Sequence, residues 1–78
     1  MLYVREIIEL MAAYPGRDFK MSEIVRYIAG GRRRLDTRTR EAIRRSARNA
    51  LRALSDSGSI MIHYPSSASG SFALYRWR

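Results

Sequence analysis

The amino-acid sequence predicts one α+β domain, in which a core of three helices is followed by a C-terminal β-hairpin. In three separate stretches, apolar residues recur every three or four positions, the spacing of a helix with one buried face. The C-terminal part instead has two β-rich runs, SIMIHY and SFALYRW, around a loop of Pro, Ser, Ala and Gly. The chain of 78 residues shows no internal repeat and no long linker. We therefore expect residues 1–78 to form a single small domain with a thin core.

The first two predicted helices lie on either side of a short extended piece. The first covers about residues 2–14 and ends at Pro15–Gly16. Its apolar face consists of Tyr3, Ile7, Leu10, Met11 and Tyr14. Phe19 then anchors a brief extended segment. The second helix covers about residues 22–29 and ends at Gly30–Gly31, because glycine readily adopts the left-handed conformation that closes a helix.

The third predicted helix is the longest and covers about residues 37–55. Either Asp36 or Thr37 is suited to cap its N-terminus, and Ser57–Gly58 ends it. The hairpin is predicted over about residues 59–77. Alternation places four side chains on its inward face: Ile60, Ile62, Phe72 and Leu74. Three further aromatic residues form the rim of the core or stack on bases: Tyr64, Tyr75 and Trp77.

The positive charge is concentrated in one third of the chain. The formal net charge is +8. Residues 26–52 contain ten arginines and two acids, whereas the rest of the chain contains five basic and five acidic residues. The whole excess of charge therefore lies in that segment, and such asymmetry indicates a polyanionic partner.

The arginines of the third helix are phased relative to its apolar residues. At 100° per residue, the apolar side chains fall within an arc from about 120° to 220°: Ile43, Ala47, Ala50, Leu51 and Leu54. Five arginines fall between about 240° and 360°: Arg38, Arg44, Arg45, Arg48 and Arg52. Arg40 lies within the apolar arc, but in the first turn, where its side chain still reaches solvent. Like charges three or four residues apart repel each other, so a bound polyanion is the simplest explanation for this cationic face.

The order of elements resembles a winged helix-turn-helix domain over residues 2–77. The most local signals are the SEIVRYI helix before the turn, ALRALSDSG leading into the hairpin, and the G-S-F-A-L pattern of the returning strand. The turn, GGRRRLD, is longer than in the tightest helix-turn-helix units. In that family the third helix enters the DNA major groove and the wing contacts the backbone or the minor groove.

The resemblance implies two sets of DNA-binding residues in this chain. The first, on the recognition helix, is Thr37, Arg38, Thr39, Arg40, Glu41, Arg44, Arg45 and Arg48. Arginine can donate two hydrogen bonds to guanine O6 and N7. Glu41 either accepts from a cytosine amine or has a structural role, in which it favours the helix dipole and orients Arg45. The second set contacts the DNA backbone: Arg32, Arg33, Arg34, Arg52, His63 and Arg76. Lys20 and Arg26 are expected to be surface charges, with a phosphate contact as the alternative. The predicted hairpin tip carries no Lys or Arg.

The predicted function is sequence-specific binding of double-stranded DNA by a small transcriptional regulator. One alternative is an architectural or recombination accessory protein of the kind that mobile elements encode. Another is a winged-helix module whose arginines hold an acidic protein. Because one recognition helix reads few base pairs, we expect a homodimer or a larger protein complex, with Tyr3, Val4 and Ile8 as the dimer contact.

Other classes of function fit the sequence poorly. His63 is the only histidine and there is no cysteine, so we expect no enzyme, no cofactor, no metal site and no small-molecule ligand. The charged N-terminal segment predicts no signal peptide, and no apolar run is long enough for a membrane span. The apolar face of the third helix is needed for the core, so we expect no membrane partner. The expected location is the cytoplasm, in association with the nucleoid.

Overall fold

Three helices and a small antiparallel sheet make up the part of the chain that the structure describes, residues 2–30, 35–65 and 72–78 of a computed structural model. The helices are α1 (Val4–Ala12), α2 (Met21–Ile28) and α3 (Thr37–Asp56). The strands are β1 (Asp18–Lys20), β2 (Ile60–His63) and β3 (Leu74–Trp77). The prediction of an α+β chain with three helices is confirmed.

The sheet has the order β1–β3–β2, and both pairings are antiparallel. The pairing of β2 with β3 is the one that the predicted hairpin requires. The sequence predicted only an isolated extended piece around Phe19, and the structure places it as an edge strand, with Phe19 opposite Tyr75. The turn after α1 is joined to this sheet as well, because the N–H of Gly16 donates to the carbonyl of Trp77 (3.1 Å).

The core lies between the three helices and one face of the sheet. The five predicted apolar residues of α3 are all buried, as are Ile7 and Met11 of α1. Ile24 and Val25 of α2 complete the helical side, while Phe19 and Ile60 are the most deeply buried side chains of the sheet. Tyr14, predicted on the core face of α1, is 51% exposed because the helix ends at Ala12, before Tyr14.

The predicted inward face of β3 is wrong by one residue. Ile60 is buried and Ile62 packs against the core, as predicted, but Phe72 is 48% exposed and Tyr75 is buried. Leu74 pairs with His63 on the opposite face of the sheet. The run SFALYRW has apolar residues at both odd and even positions, so alternation alone left two phases open. A shift of one residue exchanges the two faces of a strand.

Glycines predicted to end helices follow α2 and α3, whereas α1 ends at Ala12, before the predicted stop at Pro15–Gly16. Gly30 after α2 and Gly58 after α3 both have positive φ, 67° and 83°. After α3, the N–H of Gly58 donates to the carbonyl of Ser55 (3.0 Å) and that of Ser59 to the carbonyl of Leu54 (2.9 Å). These two bonds form a Schellman motif, which satisfies carbonyls at the end of the helix. Gly31, the other residue of the predicted stop after α2, lies outside the described residues.

Two further observations concern surfaces of the fold. Of the residues suggested for a dimer contact, Tyr3 and Val4 pack against the core, whereas Ile8 is exposed. No helix in the described ranges is long and apolar enough to cross a membrane.

Candidate nucleic-acid interface

The start of α3 is fixed by Asp36, which resolves the choice between Asp36 and Thr37 as its cap. Oδ1 of Asp36 accepts a hydrogen bond from the backbone N–H of Thr39 at 2.7 Å. Hydrogen bonding from Thr39, by its side chain first and its backbone second, lowers the pKa of the Asp36 carboxyl. The cap satisfies one of the free N–H groups of the first turn.

The apolar and the cationic faces of α3 point in different directions. Ile43, Ala47 and Leu51 are buried against the rest of the fold. All six arginines of the helix are exposed: Arg38, Arg40, Arg44, Arg45, Arg48 and Arg52. Arg40 is exposed despite its position in the apolar arc, as the sequence predicted for a residue of the first turn.

The predicted recognition residues therefore lie on one helix, and most of them face solvent. Within the described ranges, no arginine of α3 forms a salt bridge with an acidic side chain. Glu41 is exposed and forms no ion pair with Arg45 there. Thr39 is partly buried, next to the cap. The cationic face is thus free of internal neutralisation along the described part of the chain.

The flank of this face continues onto α2. Arg40 and Arg44 line a cleft of about 500 Å³ between α2 and α3, together with Ser22, Arg26 and Leu35. Arg26, expected to be a separate surface charge, is therefore next to the arginines of α3. The positive surface extends over two helices.

Comparison with protein-family models, curated proteins and solved structures found no match. The geometry of the chain therefore carries the functional argument.

The residues predicted to contact the DNA backbone are distributed differently. Arg52 continues the exposed face of α3. Arg32, Arg33 and Arg34 lie outside the described residues. His63 and Arg76 lie on the outer face of the sheet, where both contact Asp18. The structure thus groups Arg52 with the recognition residues and places His63 and Arg76 in a separate cluster.

Asp18 is the residue that the sequence analysis missed in this cluster. Nε and Nη2 of Arg76 donate to its two carboxylate oxygens at 2.9 and 3.1 Å, and Nε2 of His63 lies 3.0 Å from Oδ1. The hydrogen bond from Arg76 is the main cause of the lowered pKa of Asp18, and the same contact raises the pKa of Arg76. Asp18 and Arg76 are opposite each other in the β1–β3 register, so only the strand pairing reveals this contact. The charge of Arg76 is balanced within the protein.

No group of three His, Asp or Glu side chains suited to hold a metal ion occurs in the described part of the chain. The candidate interface consists of an exposed row of guanidinium groups along α3. Such a row matches regularly spaced phosphates, and single guanidinium groups match the edge of guanine.

Proposed function

We propose that this protein binds double-stranded DNA as a winged helix-turn-helix domain, with α3 as the recognition helix and the β2–β3 pair as the wing. The observation that carries the proposal is the exposed row of arginines on α3, opposite its buried stripe. The biological role that we propose is that of a small sequence-specific transcriptional regulator.

The dimensions and charge of α3 support insertion into the major groove. The helix has 20 residues, and the major groove of B-DNA, about 12 Å wide, admits a helix. The deep and narrow major groove of A-form RNA does not. Because its core stripe is held by the rest of the fold, α3 presents the arginine face as part of a rigid body.

The recognition residues divide, according to their position on α3, into those that contact base edges and those that contact phosphates. Arg38 and Arg45 are two turns apart near the middle of the exposed face, where they can reach base edges. Arg52 lies towards the C-terminal end of the helix, where a phosphate contact is the simpler role. Base contacts specify sequence, and phosphate contacts position the protein.

The test is the salt dependence of binding, measured by fluorescence anisotropy with a labelled random-sequence duplex. Each phosphate contact contributes about −0.9 to the slope of log affinity against log salt, so five or six contacts give a slope near −5. The variant Arg48→Ala/Arg52→Ala, which removes two arginines placed to contact phosphates, should bind more weakly and have a slope shallower by up to about 2. The matched control, Arg5→Ala/Arg17→Ala, removes two exposed arginines outside both α3 and the β2–β3 wing and should retain the slope.

Two results would contradict the proposal. Equal weakening by both variants would show that only net charge matters and that α3 is not the interface. Absent or salt-insensitive binding would favour the alternative in which the arginines hold an acidic protein.

A further variant, Arg38→Lys/Arg45→Lys, keeps the positive charge but loses the planar guanidinium group. A preserved slope with reduced sequence preference would assign these two residues to base contacts.

A further inference from the structure

Beside the arginine face lies a second cleft, between α3, the start of α2 and the sheet, which we call the α3–β3 cleft. Its volume is about 410 Å³, within the usual range for small-ligand clefts. Lys20, Arg44 and Arg48 line it together with Tyr64, Phe72 and Tyr75. None of the described residues that line it is acidic. Cations and aromatic rings therefore meet in one concave site.

Two of these aromatic side chains are not used by the core. Tyr64 is 70% exposed and Phe72 is 48% exposed. Tyr64 directly follows β2, and Phe72 lies two residues before the start of β3. Single exposed aromatic side chains are ordinary on protein surfaces. Here both side chains line the same cleft, Tyr64 from the end of β2 and Phe72 from just before β3. Their rings are therefore available to a flat ligand in that cleft.

The cations are close to the aromatic rings. Nζ of Lys20 lies 5.5 Å from the centroid of the Phe72 ring. Tyr75 is buried, and burial raises the pKa of its phenol, while the nearby charges of Arg48 and Arg44 act in the opposite direction. Arg44 and Arg48 line the same cleft as Tyr75, so both guanidinium groups lie near its buried wall. A negatively charged group in the cleft would therefore be within the field of three cations.

We infer that the α3–β3 cleft binds an unpaired nucleotide of DNA, with its phosphate at Lys20, Arg44 and Arg48 and its base stacked on Tyr64 or Phe72. Every base has a flat face that stacks on an aromatic ring, and guanidinium groups bind phosphate. In an intact duplex both faces of a base are covered by its neighbours. The cleft thus selects a base that is already unstacked, for which the cost of leaving the helix is lowest.

This inference rests on the proposed function and narrows its substrate to duplexes with an unpaired or displaced nucleotide next to the site of α3. Arg44 belongs both to the arginine row and to the cleft, so a duplex held by α3 has its backbone close to Tyr64 and Phe72. Without such a nucleotide, α3 binds the paired duplex alone.

The experiment compares two labelled duplexes of equal length at the same salt concentration, one fully paired and one with a single-nucleotide bulge. We expect the bulged duplex to bind about tenfold more tightly, since stacking of one base on an aromatic side chain is worth roughly that factor or more. In the variant Tyr64→Ala/Phe72→Ala this preference should fall to about one, with little change for the paired duplex. The ratio of the two affinities is measured on one protein sample, so a partial loss of fold affects both duplexes.

Two further variants sharpen the comparison. Tyr27 is 44% exposed and lies on the other side of α2, away from the α3–β3 cleft, so Tyr27→Ala is the matched control and should keep the tenfold preference. Tyr64→Trp, combined with Phe72→Ala, retains a stacking surface and should restore the preference that the double alanine variant loses.

The outcomes separate the two proposals. Equal affinity of the wild type for both duplexes contradicts nucleotide binding in the α3–β3 cleft but does not affect the proposed function. A preference that survives in Tyr64→Ala/Phe72→Ala also overturns it, because the unpaired nucleotide then binds elsewhere. Binding of the bulged duplex with no binding of the paired one supports the cleft and overturns duplex recognition by α3.

Discussion

Asp18 connects the first strand to the last through a charged contact on the outer face of the sheet. Its carboxylate accepts two hydrogen bonds from Arg76 and lies beside His63, so a side chain near position 20 holds one near the C-terminus. Because the contact is partly exposed, solvent screens it and it adds little to the free energy of unfolding. Its main consequence is that the stability of the fold depends on pH.

At the residue scale, the first prediction concerns the acid stability of this contact. Because Arg76 and His63 lower the pKa of Asp18, the folded state is stabilised by the ionised carboxylate. That stabilisation is fully present above the ordinary pKa of 3.8 and is lost as pH falls through the lowered value. Asp18→Asn should therefore have a lower melting temperature than the wild type at pH 6, and the difference should shrink between about pH 4 and pH 2. Thermal unfolding followed by circular dichroism measures it, and a constant difference over that range would contradict the assignment.

At the element scale, α3 and β3 show how far the sequence determines the structure. The five buried residues of α3 recur with the helical period, and five of its six arginines fall within a separate arc, so one rotation of the helix satisfies the pattern. The sequence allows either Asp36 or Thr37 as the N-cap of α3. The hydrogen bond that Asp36 accepts from the backbone N–H of Thr39 identifies Asp36 as the cap. For β3 the pattern is ambiguous, because apolar residues occur at both odd and even positions of SFALYRW. The α3–β3 cleft was therefore not predictable, since it depends on Phe72 lying half-exposed at its edge and not in the core.

The glycine that ends α3 gives a second prediction. Gly58 has φ of 83°, and no atom lies within 4 Å of the position that a Cβ would occupy. A substitution there is consequently opposed by backbone conformation alone. Gly58→Ala should lower the free energy of unfolding by about 1 kcal/mol, because an L-residue with a side chain disfavours the left-handed region. Gly58→Asn should lower it by less, since asparagine tolerates that region. Urea denaturation of the three proteins measures both changes, and equal losses would point to a cause other than φ.

At the scale of the whole molecule, charge and stability oppose each other. The net charge of +8 on 78 residues is carried entirely by residues 26–52. Within this segment, Arg48 has arginines three or four residues away on both sides: Arg44, Arg45 and Arg52. Like charges at these spacings destabilise a helix, and dissolved salt screens the repulsion. The surface proposed to bind DNA is thus the surface that costs the free protein stability, and a bound polyanion removes that cost.

The last prediction uses this opposition. Arg48→Ala removes three unfavourable pairs, so at low salt it should raise the melting temperature by a few degrees, about the shift that such pairs imply for a domain of this size. The gain should shrink as salt is added, because screening already weakens the repulsion in the wild type. Arg5→Ala removes the same charge from α1, where Glu9 lies four residues further on, and should give no such gain.

DNA should raise the melting temperature of the wild type more than that of Arg48→Ala, because a ligand stabilises the folded state more strongly the more tightly it binds. Melting curves of the three proteins at low and moderate salt, with and without a duplex, measure all of these effects. Equal salt dependence in Arg48→Ala and Arg5→Ala would show that the stability of the fold does not depend on where the arginines lie.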